Sequence, residues 1–106
     1  MNSADGAIIV TGSALGTDET IDALMDLALR HVRRSRTEPG CISHAVYRDV
    51  EDVNRLFFFE RWASRLALDT HFAVFDSNAF VKQLTSLTSE PPSLQIDIVE
   101  PKQAKS

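Results

Sequence analysis

The chain opens with a strand pattern followed by a helix pattern. From Ala7 to Ala14, apolar and small residues alternate in a way that suits an extended strand. The break at Gly16, with Thr17 or Asp18 as the cap, predicts that a helix follows. One face of this helix is expected to pack on a sheet, because apolar residues recur with helical spacing at Ile21, Leu24, Met25, Ala28 and Val32.

Two further strands are predicted on either side of a polar turn. Pro39-Gly40 ends the first helix, because Gly readily takes the left-handed position after a helix and Pro cannot continue the hydrogen-bond ladder. The segment from Cys41 to Tyr47 is rich in apolar and β-branched residues and predicts a strand. The polar run from Arg48 to Asn54 predicts a turn, and Arg55 to Trp62 predicts the next strand.

Three consecutive aromatic residues, Phe57, Phe58 and Phe59, interrupt simple alternation in that strand. Neighbouring side chains of a strand point to opposite faces, so aromatic rings are expected on both faces of the sheet. Helices of the same chain can cover one face, and a second subunit is predicted to cover the other.

The last part of the chain predicts two helical stretches and a strand. Ser64 is expected to cap the first stretch, a break is predicted at Asp76-Ser77-Asn78, and the second stretch runs from Ala79 to about Leu87. Alternation between Leu94 and Ile98 predicts the last strand. The apolar residues of the first stretch are Leu66, Ala67, Leu68 and Phe72.

The predicted order is strand, helix, strand, strand, helix, strand. This order is typical of an α+β, ferredoxin-like fold, in which helices cover one side of an antiparallel sheet. With 106 residues, a single domain spanning residues 1–106 is predicted, with an ordered core at about residues 7–100. The polar stretch before Ala7 and the tail after Pro101 are expected to be loose.

Charge and composition narrow the class of partner. The formal net charge of −4 argues against a nucleic-acid surface, and a small-molecule ligand fits better. The single cysteine, Cys41, cannot form a disulfide within the chain and is expected to be a small strand residue, although a reactive role stays open. No signal peptide or membrane-spanning run is recognisable, so a cytoplasmic location without membrane contact is predicted.

Several short motifs resemble the antibiotic biosynthesis monooxygenase (ABM) family. The matching residues are Glu38-Pro39-Gly40-Cys41, Tyr47-Arg48-Asp49, Glu60-Arg61-Trp62, and Ala67-Leu68-Asp69 followed by His71. The resemblance covers roughly Ile8 to Pro101. It implies a dimeric α/β barrel, in which two sheets pack face to face and each subunit keeps a pocket between its sheet and its helices.

Neither a cofactor nor a metal is predicted from the motifs. His31, His44 and His71 lie far apart in sequence, Cys41 has no CxxC partner, and the glycines are too scattered to form a phosphate cradle. His31 falls in a basic run at the end of the first helix. This run is expected to be solvated and to complement the helix dipole, with an anionic ligand as the alternative.

Candidate binding residues lie on one face of the strand from Arg55 to Trp62. Alternation places Phe58, Glu60 and Trp62 together, and the resemblance implies that this face lines the pocket. Trp62 and Phe58 would form a wall for a flat substrate. Glu60 would either accept a proton or form a structural ion pair with an arginine.

His44 and His71 are the candidate catalytic residues. His44 is expected to be buried between Ile42 and Val46, either as a base or as a neutral imidazole bonded to the backbone. His71, one helical turn after Ala67, would reach the same pocket from its helix. A further His that many relatives carry near a Ser-Pro pair is replaced here by Ser77-Asn78-Ala79-Phe80.

The resemblance implies a cofactor-independent monooxygenase that oxidises a phenolic, quinol or polyketide-like aromatic molecule with molecular oxygen. A base and a closed apolar cavity suffice for such a reaction, because the substrate anion itself supplies the electrons. The alternatives are a small-molecule binding or isomerising dimer without oxygen chemistry and a haem-degrading relative. The haem-degrading members use a polar amide on the first strand, where this chain has Ile9, Thr11 and Ser13.

Overall fold

A computed structural model describes residues 7–99. The elements in this range follow the order β1 (Ala7–Leu15), α1 (Ile21–Ser35), β2 (Cys41–Arg48), β3 (Arg55–Trp62), α2 (Arg65–Ala73), α3 (Phe75–Leu87) and β4 (Ser93–Val99). The predicted bounds of β3 are confirmed, and β1 and β2 each run one residue further than predicted. The predictions for residues 1–6 and for the tail from residue 101 onward lie outside the described residues.

The strands form one antiparallel sheet in the order β2-β3-β1-β4. In the middle of the sheet Val10 of β1 lies opposite Glu60 of β3 on one side and Ile96 of β4 on the other. The predicted ferredoxin-like α+β arrangement is therefore confirmed, with α2 and α3 together in the place of its second helix.

An irregularity in β2 decides which side chain meets Glu60. Cys41 lies opposite Trp62, but the register shifts between Cys41 and Ser43, so that His44 lies opposite Glu60. A bulge of this kind inserts one extra residue and turns the following side chains to the other face. Ile42, predicted to share the buried face of His44, is consequently half exposed.

The predicted helix starts are only partly right. Ser64 caps α2 as predicted, because its Oγ accepts a hydrogen bond of 3.1 Å from the Ala67 N–H. The N-cap of α1, however, is Thr20 and not Thr17 or Asp18. Thr17 and Thr20 close the turn before the helix, since each side-chain oxygen accepts a hydrogen bond from the other residue's backbone N–H, at 3.1 and 2.9 Å.

The break between α2 and α3 lies at Val74 and not at Asp76-Ser77-Asn78. Val74 leaves the helical region with φ −67° and ψ 133°, and α3 begins at Phe75. The three polar residues thus fall in the first turns of α3. Asp and Ser suit the positive end of a helix as well as they suit a loop, which explains the error.

The core lies between the sheet and the helices and consists of two apolar clusters. The first joins α1 to the sheet and to α3 and contains Leu24, Ala28, Val32, Leu56, Phe58 and Leu84, among others. The second contains Ile8, Val10, Trp62 and Leu68. Leu66 does not join it and is exposed, because its helical position lies opposite that of Leu68.

The other face of the sheet carries large side chains in contact with solvent. Phe57 of β3 lies opposite Tyr47 of β2, and they are 42% and 58% exposed. Adjacent exposed aromatic side chains on a sheet are characteristic of a surface that another protein covers. None of the helices within residues 7–99 has the length and apolar character needed to cross a bilayer.

Candidate active site

Between the two apolar clusters lies a group of buried ionisable side chains. His31 lies on the inner face of α1 and stacks on Phe80 of α3, with ring centroids 3.7 Å apart. Its Nδ1 is 3.3 Å from an Arg34 guanidinium nitrogen, and since that group can only donate, Nε2 carries the ring hydrogen. Burial, reinforced by His44, His71 and Arg34, lowers the pKa of His31 to about 3, so this imidazole is neutral at neutral pH.

His71 of α2 forms a close pair with Glu38, which lies between α1 and β2. The distance between His71 Nδ1 and Glu38 Oε1 is 2.7 Å, and His71 is 2% exposed. Oε2 of Glu38 accepts a hydrogen bond from Arg34, so the carboxylate is held on both sides. With Nδ1–H donated to Glu38, Nε2 is the nitrogen that can accept a proton.

Glu60 of β3 is the second buried carboxylate. Its Oε1 accepts a 2.9 Å hydrogen bond from the Trp62 indole N–H and lies 3.3 Å from His44 Nε2. Burial acts to raise the pKa of Glu60, but His44, the indole N–H and His71 outweigh it and hold the pKa below its usual value. Glu60 is therefore ionised at neutral pH.

His44 of β2 is 1% exposed. Neither of its ring nitrogens makes a well-directed hydrogen bond within residues 7–99, so the 3.3 Å approach of Nε2 to Glu60 Oε1 is a close polar contact and not a formed hydrogen bond. Its burial was predicted, but the predicted hydrogen bond from the ring to the backbone is not formed. A buried polar group without a partner carries a free-energy cost of about 1–3 kcal/mol.

A cavity of about 490 Å³ opens beside these groups, between the sheet and the helices. His31, Glu60 and His71 are the ionisable residues that line it. Most of the remaining lining is apolar and aromatic, and includes Gly12, Phe58, Phe72, Phe80, Val81, Leu84 and Leu94. The site thus combines an imidazole–carboxylate pair, an ionised carboxylate and aromatic walls around a space for a small molecule.

The chain matches the model of a known protein family. The family model described as antibiotic biosynthesis monooxygenase matches residues 8–83. The chain belongs to the ABM family. This confirms the resemblance that its strand and helix motifs indicated.

A curated relative matches most of this ABM protein in sequence. The uncharacterised protein sll1783 of Synechocystis is 33% identical over 96 residues, which is 91% of this chain and 65% of that protein. The chain therefore spans about 65% of the length of this curated relative.

Solved structures resemble the ABM chain closely in their backbones. A conserved protein of Methanosarcina mazei has a TM-score of 0.84 at 22% identity, covering 91% of this chain and 95% of its own. Rv0793 of Mycobacterium tuberculosis has a TM-score of 0.81 at 25% identity, covering 94% and 99%. A structure of an antibiotic biosynthesis monooxygenase has a TM-score of 0.81 at 24% identity, covering 89% and 99%.

The site residues predicted from the sequence of this ABM protein lie close together but not all at the cavity. Phe58, Glu60 and His71 line it. Trp62 is fully buried and lies behind His71, with ring centroids 4.6 Å apart, and His44 lies behind Glu60. Among the described residues the partners of Glu60 are Trp62 and His44, so the expected ion pair with an arginine is wrong.

Two residues of the site were not recognised from the sequence. His31 was assigned to a solvated helix end but is buried, and its spacing of three from Ala28 and seven from Leu24 was the signal that placed it on the inner face. Glu38 was noted only as part of the Glu-Pro-Gly-Cys motif. Its pairing with His71 joins positions 33 residues apart, and no local pattern reveals such a contact.

Proposed function

We propose that this ABM protein is an oxygen-dependent monooxygenase that oxidises a flat phenolic or quinol-like molecule without a cofactor. The observation that carries the proposal is the His71–Glu38 pair, whose imidazole forms part of the wall of an aromatic cavity. Family membership supports the general class of activity. The substrate class and the residue roles are inferred from the chemistry of the site.

The cavity suits an aromatic substrate in size and in lining. Its volume of about 490 Å³ falls within the range of about 300–1,000 Å³ that is typical of small-molecule sites. Phe58, Phe72 and Phe80 contribute ring surface from the sheet and from both helices of the second half. Aromatic rings bind flat ligands through stacked and edge-to-face contacts, which favours a planar substrate.

His71 is the proposed general base. Glu38 fixes its tautomer through Nδ1 and stabilises the imidazolium that forms when Nε2 takes a proton from the substrate. Arg34 holds Glu38 in place. Glu38 and Arg34 are thus positioning residues in this proposal, because they act through His71.

The proposed reaction balances without an external reductant. His71 removes a proton from an acidic C–H or O–H group, and the carbanion-like anion passes one electron to oxygen. The resulting radical pair combines to a substrate peroxide, which takes up the proton from His71 and loses water to leave a carbonyl group. One oxygen atom enters the product and the other leaves as water, and the closed apolar cavity keeps solvent from the radical pair.

Glu60, His44 and Trp62 support this chemistry in different ways. Glu60, ionised at the cavity wall, would bind the substrate through a hydroxyl group. Trp62 positions Glu60 through its indole N–H and packs behind His71. His44 adds a polar contact to the same carboxylate oxygen, so its proposed role is to orient Glu60 and not to contact the substrate.

The open face of the sheet supports a homodimer. Phe57 and Tyr47 form an aromatic patch on the face opposite the cavity, where a second copy would pack sheet against sheet. Burial of this patch would leave the cavity of each subunit between its own sheet and helices. The cytoplasmic location stays a prediction.

Oxygen uptake with dithranol as the probe tests the proposed activity. Wild-type protein is expected to consume one oxygen molecule per dithranol and to place one atom of isotope-labelled oxygen in the product. His71→Gln should lower turnover by about 100-fold or more. Thr70→Ala is the matched control, because the hydroxyl of this exposed neighbour on α2 donates to the Leu66 backbone carbonyl, and its loss should leave turnover unchanged.

The outcome separates the proposal from its alternatives. Full turnover by folded His71→Gln would remove His71 from the chemistry. Conversion of a substrate without oxygen uptake would instead favour an isomerase, since the same base can move a proton between two carbon atoms. Binding of dithranol without any conversion would favour a small-molecule binding protein.

A further inference from the structure

The histidines of the chain, though distant in sequence, meet at one point of the fold. His31 comes from α1, His44 from β2 and His71 from α2, and each is buried. The ring centroids are 5.3, 5.5 and 5.8 Å apart. One nitrogen atom from each ring lies within 4.8 Å of the nitrogen atoms of the other two.

His44 is the member of this cluster that points to a ligand. It is 1% exposed, yet neither ring nitrogen forms a hydrogen bond within the described residues. Buried polar groups nearly always have a partner, and an exception calls for a specific explanation. The missing partner must be small, because the other two imidazoles already surround the ring.

We propose that His31, His44 and His71 bind one divalent transition-metal ion, with Zn²⁺ as the best fit. Three imidazoles suit Zn²⁺ and its neighbours Co²⁺, Ni²⁺ and Cu²⁺, whereas Mg²⁺ and Ca²⁺ prefer oxygen ligands. Three atoms separated by at most 4.8 Å surround a point no more than about 2.8 Å from each. Side-chain shifts of less than about 1 Å therefore reach the Zn–N distance of about 2.0–2.1 Å.

The surroundings of the cluster match those of known metal-binding histidines. Such a histidine usually donates its second ring N–H to a carboxylate, which fixes the tautomer and strengthens the ligand. Glu38 stands in this relation to His71, at 2.7 Å from Nδ1. Glu60, close to His44 and at the cavity wall, supplies a negative charge and is the candidate fourth ligand.

His31 must change its tautomer to join the site. Its Nδ1 faces Arg34, and its Nε2 has a long contact of 3.5 Å with Ser35 Oγ. The hydroxyl hydrogen of Ser35 is already directed to the His31 backbone carbonyl at 2.7 Å. Coordination through Nε2 moves the ring hydrogen to Nδ1, so the Arg34 guanidinium must give up its 3.3 Å contact with Nδ1, whereas the hydrogen bond of Ser35 stays intact.

Metal binding is expected to inhibit the proposed oxidation, and this expectation rests on the proposed function. The ion takes the lone pair of His71 that the base needs, so a bound Zn²⁺ ion is expected to inhibit oxygen uptake with dithranol. Removal of the ion by a chelator should restore uptake. The binding itself does not depend on that activity.

Titration of untagged, chelator-treated protein with Co²⁺ tests the binding. Wild-type protein should bind one Co²⁺ ion per chain with the visible absorption of a nitrogen-ligated ion, and Zn²⁺ should displace it and raise the melting temperature. His44→Ala and His31→Ala should each weaken binding by about 100-fold or more, and Glu38→Gln by about 10–100-fold. Cys41→Ser should bind as the wild type does, which excludes the thiol as the ligand.

Each result counts for or against the site. Folded wild-type protein that binds no Co²⁺ overturns the proposal, as does undiminished binding by His44→Ala and His31→Ala together. The titration of wild-type protein tests the proposal by itself, whether or not the variants fold. Metal binding without dithranol oxidation would refute the proposed function and leave the metal site standing, and oxidation without metal binding would do the reverse.

Discussion

The two faces of strand β3 differ sharply in burial. On the inner face Phe58, Glu60 and Trp62 are at most 6% exposed, and they contact the helices, the cavity and the buried histidines. On the outer face Phe57, which is next to Phe58 in the chain, is 42% exposed. One strand thus supplies both a buried face and a face with a large exposed aromatic side chain.

The difference shows how a small protein can hold several ionisable groups inside. Burying a charged or polar group is costly unless it is paired, and this interior holds Glu60 and three imidazoles. The apolar clusters around Phe58 and around Trp62 lie on both sides of these groups and stabilise the inner face. On the outer face Phe57 and Tyr47 are partly exposed, so these aromatic side chains are available for association.

Neighbouring phenylalanines offer a matched test of this contrast, and the largest effect is expected on the inner face. Phe58→Ala should lower the free energy of unfolding by about 3–5 kcal/mol, because it removes a buried ring between α3 and the sheet. Phe57→Ala removes the same atoms from a half-exposed site. It should therefore lower the free energy of unfolding of the single chain much less. Urea unfolding at several protein concentrations measures both losses.

Equal losses for the two variants, independent of concentration, would contradict the contrast. A loss for Phe57→Ala that grows as the protein is concentrated would place this ring in a subunit interface instead.

A charge on the outer face tests the interface directly. Phe57→Lys should weaken the dimer by at least about 100-fold, because an unpaired ammonium group would be buried between two sheets. Light scattering should then report a mass near 11.8 kDa, that of one chain, where the wild type gives twice this value. Phe57→Leu is the control and should remain dimeric. A wild-type mass of one chain at micromolar concentration would refute the dimer itself.

Much of the fold was predictable because the signals are local. The bounds of β3 follow from a run of strand-forming residues after a polar turn, and the cap at Ser64 follows from one side chain placed before an apolar helix. The same local signals placed Phe58, Glu60 and Trp62 on one face. In a regular strand every second side chain points to the same face, so these three residues must share one face.

The rest of the site depends on contacts between distant segments. The bulge after Cys41 puts His44 opposite Glu60, and an unbroken register would have put Ser43 there. No residue type between Cys41 and His44 marks the bulge, so alternation alone gave Ile42 the wrong environment. The meeting of the three histidines likewise depends on how α1 and α2 pack against the sheet, which sequence separation cannot reveal.

A smaller effect is expected at Gly40, which lies close to Ala67 of α2. Gly40 has φ +84°, and a Cβ atom added there would lie 2.4 Å from the Cβ of Ala67 in α2. Gly40→Ala should therefore lower the free energy of unfolding by about 1–3 kcal/mol, through backbone strain and displacement of α2. The dimer mass should not change, because this contact lies on the helical side.

A second substitution separates the two causes at Gly40. Adding Ala67→Gly to Gly40→Ala removes the clash but not the strain, so the pair should be less destabilised than the sum of the single variants. Simple additivity in urea unfolding would show that displacement of α2 contributes nothing.

The smallest effect is expected at Ser64, whose hydroxyl caps the helix that carries Leu68 and His71 to the inner face. Ser64→Ala should cost about 1 kcal/mol, because the Ala67 N–H loses its hydrogen-bond acceptor, whereas Ser64→Gly should cost only a few tenths. Ser86→Ala in α3 is the matched control, since its exposed hydroxyl donates to the Gln83 carbonyl and caps no helix end. Thermal unfolding resolves the difference, and equal losses at Ser64 and Ser86 would mean that the cap does not hold α2 against the sheet.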